Sequence, residues 1–253
     1  AGNVRRATTQ TSHVSSNTTF IAIAKGSIEP FAPSTDLPTV GPLKLAVVDL
    51  LDKINPQTGK MIPAQEDGYL GGNHLFSAQK KLVRLHAARN EAACFQVNLQ
   101  GQAPSATLAL VFEDKTLKPR TFRFDYVQTK AGVLPDVLIE QDGPFAVPFA
   151  GDPQAVDAKN VSLLCEVYIP HKAKPGLQKG TLTVSVGGQR LTLDVELNVW
   201  DFTLPDKLSF IPEMNAYGTA GPTGRSLEYY RLAHEHRLCL NRLYYGWAGQ
   251  ATG

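Results

Sequence analysis

Glu213, Asn215 and Tyr217 fall two residues apart in a short apolar run, and Tyr244, Tyr245 and Trp247 close a second run further on. Alternation along a strand sets the first three on one side. A carboxylate and an amide can hydrogen-bond a polar ligand, and an aromatic ring can pack on a ligand's apolar face. Glu213, Asn215, Tyr217, Tyr244 and Trp247 are therefore the candidate substrate-binding residues. The alternative is structural: Glu213 pairs with a cation such as Arg242 while the tyrosines fill space.

His234-Glu235-His236 invites a metal reading that geometry discourages. On a helix, residues i and i+2 point about 200° apart, unlike the i, i+4 pair of a zinc-binding His-Glu-x-x-His. The expectation is one histidine buried and hydrogen-bonded, with Glu235 and Arg237 outward or bridging to the preceding domain. His13, His74, His86 and His171 are scattered, and Cys94, Cys165 and Cys239 lack metal-type spacing. No metal and no cofactor is expected, since phosphate-loop, dinucleotide and Gly-x-Ser-x-Gly signatures are missing as well. The cysteines read as small buried side chains; a Cys94–Cys165 disulfide stays open. Asn17-Thr18-Thr19 and Asn160-Val161-Ser162 have the form of glycosylation acceptors.

The elements that would position the candidate residues lie between Val199 and Trp247. A strand runs out at Val199-Trp200-Asp201-Phe202-Thr203-Leu204-Pro205, where proline fixes φ and donates nothing to a ladder. Leu208 to Tyr217 follow as a short buried strand, then a Gly/Pro/Thr loop. Ser226 can cap a helix carrying Tyr229, Leu232, Ala233 and His236 at helical intervals, and Leu238 to Tyr245 return to an apolar strand. That order is a βαβ unit.

Upstream the pattern is β throughout. Leu43 to Leu51 make the first clear strand, with turn chemistry at Asn55-Pro56-Gln57-Thr58-Gly59. Residues 82–87 and 92–99 alternate as half-buried strands across Arg89-Asn90-Glu91 and are expected to pair as a hairpin. Further strands fall at residues 107–112, 121–128, 133–139, 161–169, 180–186 and 190–199, the last two joined by Gly187-Gly188, where both positions accept φ > 0. Residues 61–78, with Gly68, Gly71 and Gly72, have no usable period. Short strands with turn signals predict an antiparallel β-sandwich. The division is a Ser/Thr/Pro-rich segment over residues 1–42, a sandwich over 43–206, and the βαβ region over 207–253. The first segment is expected to be extended or mobile. Its apolar island, Phe20-Ile21-Ala22-Ile23-Ala24, can form a local strand or add to a sheet edge, including one in another molecule.

With 43% hydrophobic residues the chain can bury a core, while a net charge of +2 gives no nucleic-acid footprint. No apolar run approaches membrane-spanning length.

Val133-Leu134-Pro135-Asp136 with Gly143-Pro144-Phe145, Tyr168-Ile169-Pro170, Pro175-Gly176 and Gly180-Thr181-Leu182-Thr183-Val184 resemble the sandwich that precedes the barrel in glycoside hydrolase family 123 and its uncharacterised relatives. The join at Val199 to Pro205, and Tyr229 to Leu238 ahead of Asn241, resemble that group's linker, first barrel helix and second strand. The likeness covers about residues 80 to 247. It implies a secreted, extracellular, periplasmic or cell-surface carbohydrate-active protein: a β-sandwich followed by a (β/α)8 barrel that hydrolyses β-linked N-acetylhexosaminides. In such enzymes the substrate's own 2-acetamido group attacks the anomeric carbon, one carboxylate orients it, and a neighbouring acid protonates the leaving oxygen, an exception to the usual two-carboxylate scheme. The family carries those acids as an adjacent Asp-Glu pair on a later strand. This sequence has no such dipeptide; a reversed look-alike, Glu66-Asp67, lies in the sandwich region. No catalytic residue is carried over.

A closed barrel takes roughly 250 residues, far more than residues 208–253 supply. The expectation is therefore an incomplete barrel, with the catalytic acids elsewhere in a longer polypeptide and the 253-residue chain inactive alone. The partners expected are a carbohydrate substrate, the remainder of the same polypeptide, and, through the N-terminal segment, further copies of the chain. The other reading is a non-catalytic carbohydrate-binding or cell-surface assembly module built on the sandwich.

Overall fold

The computed structural model describes residues 29–130, 132–149, 157–207, 213–215 and 225–241. The strands are β1 (Thr39–Val40), β2 (Leu43–Val48), β3 (Lys53–Ile54), β4 (Met61–Ile62), β5 (Phe76–Ser77), β6 (Leu82–Arg89), β7 (Glu91–Gln100) and β8 (Ala103–Phe112). There follow β9 (Pro119–Thr129), β10 (Gly132–Glu140), β11 (Phe145–Val147), β12 (Asn160–Ile169), β13 (Gly176–Val186) and β14 (Gln189–Thr203). After the join come β15 (Glu213–Asn215), the helix α1 (Ser226–Glu235) and β16 (Cys239–Asn241).

Two six-stranded sheets, ordered β1-β2-β7-β12-β9-β10 and β11-β8-β13-β14-β6-β5, carry most of the chain. Alternation decides which residues meet between them. Leu45, Val47, Phe95, Val97, Leu163 and Cys165 from the first sheet share one core with Val83, Leu85, Phe112, Leu182, Leu193 and Leu197 from the second. The protein is mainly β, as the periodicity predicts, with its core filling the space between the sheets.

One expected pairing is overturned. β6 and β7 form no hairpin: β7 pairs with β2 and β12, whereas β6 pairs with β5 and runs parallel to β14. Asn90 takes φ +60 and turns the chain from one sheet into the other. Both strands alternate and both bury one face, so periodicity alone cannot tell a hairpin from a crossing between sheets. The β6–β14 contact also makes the second sheet mixed rather than purely antiparallel. The Gly187-Gly188 hairpin does form, with Val186 opposite Gln189 and both glycines at positive φ.

Residues 29–42 are extended and tightly held. The Phe31 amide donates to the Asn73 carbonyl at 2.9 Å, and Ser34 N–H to Gly68 O at 2.9 Å. At Gly71 and Gly72 an added Cβ would run into the backbone carbonyls of Ser34 and Ala32. Those glycines, aperiodic in sequence, let a loop clasp the incoming segment. The island Phe20 to Ala24 lies outside the described residues.

β15 and β16 pair in parallel, with α1 between them in sequence, which completes the expected βαβ connection. Arg225 occupies the cap position of α1, Glu228 supplies a carboxylate in its first turn, and the two pair at 3.0 Å. Ser226, expected as the cap, is the first helical residue. Of the expected stripe, Ala233 is buried while Tyr229 and Leu232 are exposed, as is Leu227.

Candidate functional site

A cluster of polar side chains sits where the two-sheet body meets the βαβ unit. Asn90, itself buried, tolerates its left-handed backbone because a short amide side chain can hydrogen-bond locally. Its N–H donates to Ile169 O at 2.7 Å. Its Nδ2 donates to Leu204 O and to Asp206 Oδ1, each at 2.8 Å, while its Oδ1 accepts from the Tyr168 hydroxyl at 2.7 Å. Arg237, itself at φ +59, closes the cluster from the far side. Its Nη2 donates to Asn90 O at 2.9 Å and its Nη1 to Pro205 O at 2.7 Å. His171 Nε2 meets Asp206 Oδ1 at 2.9 Å. The hydrogen bond from His171 is the main reason the Asp206 carboxyl sits below the usual carboxylate range, with the charges of His171 and Arg237 and the Asn90 amide adding to it.

A second feature lies on the solvent face of β14. Trp200 and Phe202 are 39% and 38% exposed, and their rings lie nearly parallel, 5.7 Å between centroids. His86 of β6 packs beside Trp200 at 6.2 Å and faces Asn198, whose Nδ2 is 3.5 Å from its Nδ1. Burial, with the nearby Arg84 cation, lowers the His86 pKa. Both aromatics belong to a continuous strand that runs on to Thr203, so the sequence join is an extension of the sheet.

A cleft of about 430 Å³ opens between residues 34–37 and 59–70. Tyr69 on its wall donates to Asp52 Oδ2 at 2.8 Å, and burial together with that bond raises its phenol pKa. Gln96 holds the adjoining turn, its Nε2 sharing two N–H donors among the carbonyls of Asp49, Leu50 and Asp52.

Among the sequence-derived candidates, Glu213 and Asn215 lie two apart on β15, and parallel register sets Asn215 opposite Asn241 at the C-terminal ends of both strands. Tyr217, Tyr244 and Trp247 lie outside the described residues, as does Arg242. Neither histidine of His234-Glu235-His236 is buried, contrary to expectation; the exposed end of the helix lets water satisfy them. Arg237, in contrast, does bridge to the sandwich. Among the described residues no group of His, Cys, Asp and Glu could hold a metal ion.

The cysteines are free thiols. Cys165 pairs with Phe95 and faces the core, while Cys94 pairs with Glu166 on the opposite side of the same sheet, so a disulfide between them is excluded. Cys165 is buried; Cys94 and Cys239 are half-buried, so the expectation of three buried thiols holds for one. Asn160 is no surface acceptor either: it is buried and its Nδ2 donates to Asn55 O and Pro56 O.

Fold and cluster define a mainly β protein in which two packed sheets carry, at one end, a parallel βαβ unit. No family model matches the chain, and no curated protein does. Among solved structures it is similar to a family 123 glycoside hydrolase from Clostridium perfringens described in terms of glycolipid glycan hydrolysis. There the identity is 15% and the TM-score 0.45, over 65% of this chain and 28% of that one. It is also similar to the C-terminal domain of the AgI/II polypeptide BspA of Streptococcus agalactiae, at 10% identity and TM-score 0.25, over 61% of this chain and 50% of that one. These are distant structural likenesses, and the chain spans half or less of either protein.

Proposed function

We propose that the two-sheet body is a non-catalytic support that fixes the start of a carbohydrate-active β/α domain, and that the whole protein hydrolyses β-linked N-acetylhexosaminides by substrate-assisted attack outside the cytoplasm. The carrying observation is the bond pair from Arg237 to Asn90 O and Pro205 O, which ties the turn between α1 and β16 of the βαβ unit to the sandwich. The sequence resemblance to glycoside hydrolase family 123 supplies the substrate class. Two asparagines, Asn215 and Asn241, share the C-terminal edge of parallel strands, the edge at which β/α folds bind ligands. In this reading Glu213, Asn215, Tyr217, Tyr244 and Trp247 contact sugar, further β/α units cover Leu227 and Leu232, and the acids come from those units. The test is release of a chromogenic N-acetylhexosaminide, with a glucoside control. Release by a polypeptide containing the later β/α units, and none by residues 1–253 alone, is expected; turnover by the 253-residue chain overturns the reading.

A second reading, a sugar-binding module without catalysis, is favoured by Trp200 and Phe202, two near-parallel exposed rings flanked by the polar groups of His86 and Asn198. Glycan binding by the 253-residue chain that is lost in Trp200→Ala would select it; binding unchanged by that substitution would count against it.

A further inference from the structure

The two sheets have four margins, and three end in strands of two or three residues: β1, β5 and β11. The fourth, β10, is nine residues long, and among the described residues no strand pairs with its outer side. Its first half is protected. Pro135 has no N–H to offer, a bulge separates Pro135 from Val137, and Asp136 is paired with Lys53 at 2.9 Å. Its second half carries three successive exposed apolar side chains, Val137 at 47%, Leu138 at 42% and Ile139 at 39%. Register places Leu138 opposite the buried Phe124, and Val137 and Ile139 opposite Asp125 and Arg123, so the edge is apolar on both faces. The one charge in the row, Glu140, is paired with Arg120 at 3.1 Å, and an apolar edge of this kind is a template for an added strand.

We propose that Val137–Glu140 accepts Phe20–Ala24 of a second copy as an added strand, so that the chain self-associates edge to N-terminal segment. The segment has the required pattern, five apolar residues of which Ile21 and Ile23 share one side, bounded by Thr19 and Lys25. Ile21 and Ile23 beside Val137 and Ile139 make apolar cross-strand pairs.

The chain's own β10 is a poor acceptor. Phe31 is fixed beside Arg84 of β6, 4.4 Å from ring to guanidinium, near the β5 margin. Phe149, just beyond β11, packs against Arg123 of β9, which places β9 and β10 over the opposite margin. Six strands separate the margins by about 24 Å. Seven residues from Ala24 to Phe31 span at most about 25 Å fully straight, with nothing left to round the sandwich.

The test combines light scattering after size exclusion with peptide binding. The 253-residue chain is expected to show a mass above the monomer that rises with concentration. Removal of residues 1–28, or Val137→Lys with Ile139→Lys, returns it to a monomer with an unchanged far-ultraviolet spectrum. A labelled peptide covering residues 17–26 binds the deletion variant at least tenfold more tightly than it binds the deletion variant that also carries the two lysines. Excess unlabelled peptide dissolves assemblies of the unmodified chain, a readout that needs no substitution. A monomeric unmodified chain, assembly that survives the deletion or the lysines, or peptide binding indifferent to the lysines would each overturn the proposal.

Discussion

Arg237 and Asn90 stand 147 positions apart in sequence, yet the guanidinium of the first donates to the main-chain oxygen of the second at 2.9 Å. A planar fork can serve that oxygen and the Pro205 carbonyl together, which a lysine ammonium at the end of a flexible stem does poorly. Arg237→Lys and Arg237→Ala are therefore both expected to loosen α1 from the sandwich. Hydrogen bonds to charged groups contribute about 1.5–3 kcal/mol when sheltered, and the partial exposure of Arg237 places the loss near the lower figure. Hydrogen exchange over residues 225–241 should quicken several-fold while protection of β7 and β12 stays put. Equal loss of protection in both regions would mean that the contact supports the whole fold rather than the junction.

Gly72→Ala is expected to expel residues 29–36 from their groove. A methyl group there meets the Ala32 carbonyl, a backbone atom that cannot rotate aside. Limited proteolysis should then cut between Glu29 and Asp36, and the melting temperature should fall by several degrees, in keeping with roughly 1–3 kcal/mol for overpacking. An unchanged proteolytic pattern would refute the clasp.

Acid should destabilise the protein in two steps. Folding lowers the His86 pKa through burial and Arg84, so in the window below the ordinary value of about 6.5 the unfolded chain binds more protons than the folded one. Stability is thus complete above that window and declines as pH falls through the folded value. His86→Asn should flatten this slope. Asp206 is depressed as well, and its contribution is present above the ordinary carboxylate value and is lost at still lower pH. Thermal melts from pH 7 to 3 for the parent, His86→Asn and Asp206→Asn separate the steps. A parent curve flat between pH 7 and 5 would contradict the first.

Burial pushes the Cys94 thiol up to about 12 and the Cys165 thiol higher still. Neither is expected to react with an aromatic disulfide reagent at pH 8 until the sheets open, and both remain reduced in air. Modification of native Cys165 on the time scale of a free thiol would show that the first sheet breathes far more than its packing implies.

Strands β1, β3, β4, β5 and β11 are too short to show a period; local pattern in the chain marks the longer sandwich strands, the Gly187-Gly188 hairpin and the βαβ connection after Pro205, and leaves Arg237 either outward or bridging. Those features follow from local periodicity and turn stereochemistry, which act within a few residues. It takes the packed fold to show that β6 and β7 part company at Asn90, that β14 runs parallel to β6, and that Cys94 and Cys165 face opposite sides of one sheet. Only there, too, do Tyr168, Leu204, Asp206 and Arg237 converge on a single asparagine, with His171 reaching it through Asp206. A half-buried strand reads the same in either sheet, and a polar side chain in a loop carries no local mark of the carbonyl it will meet, because the partner lies scores of residues away and is brought near by the core.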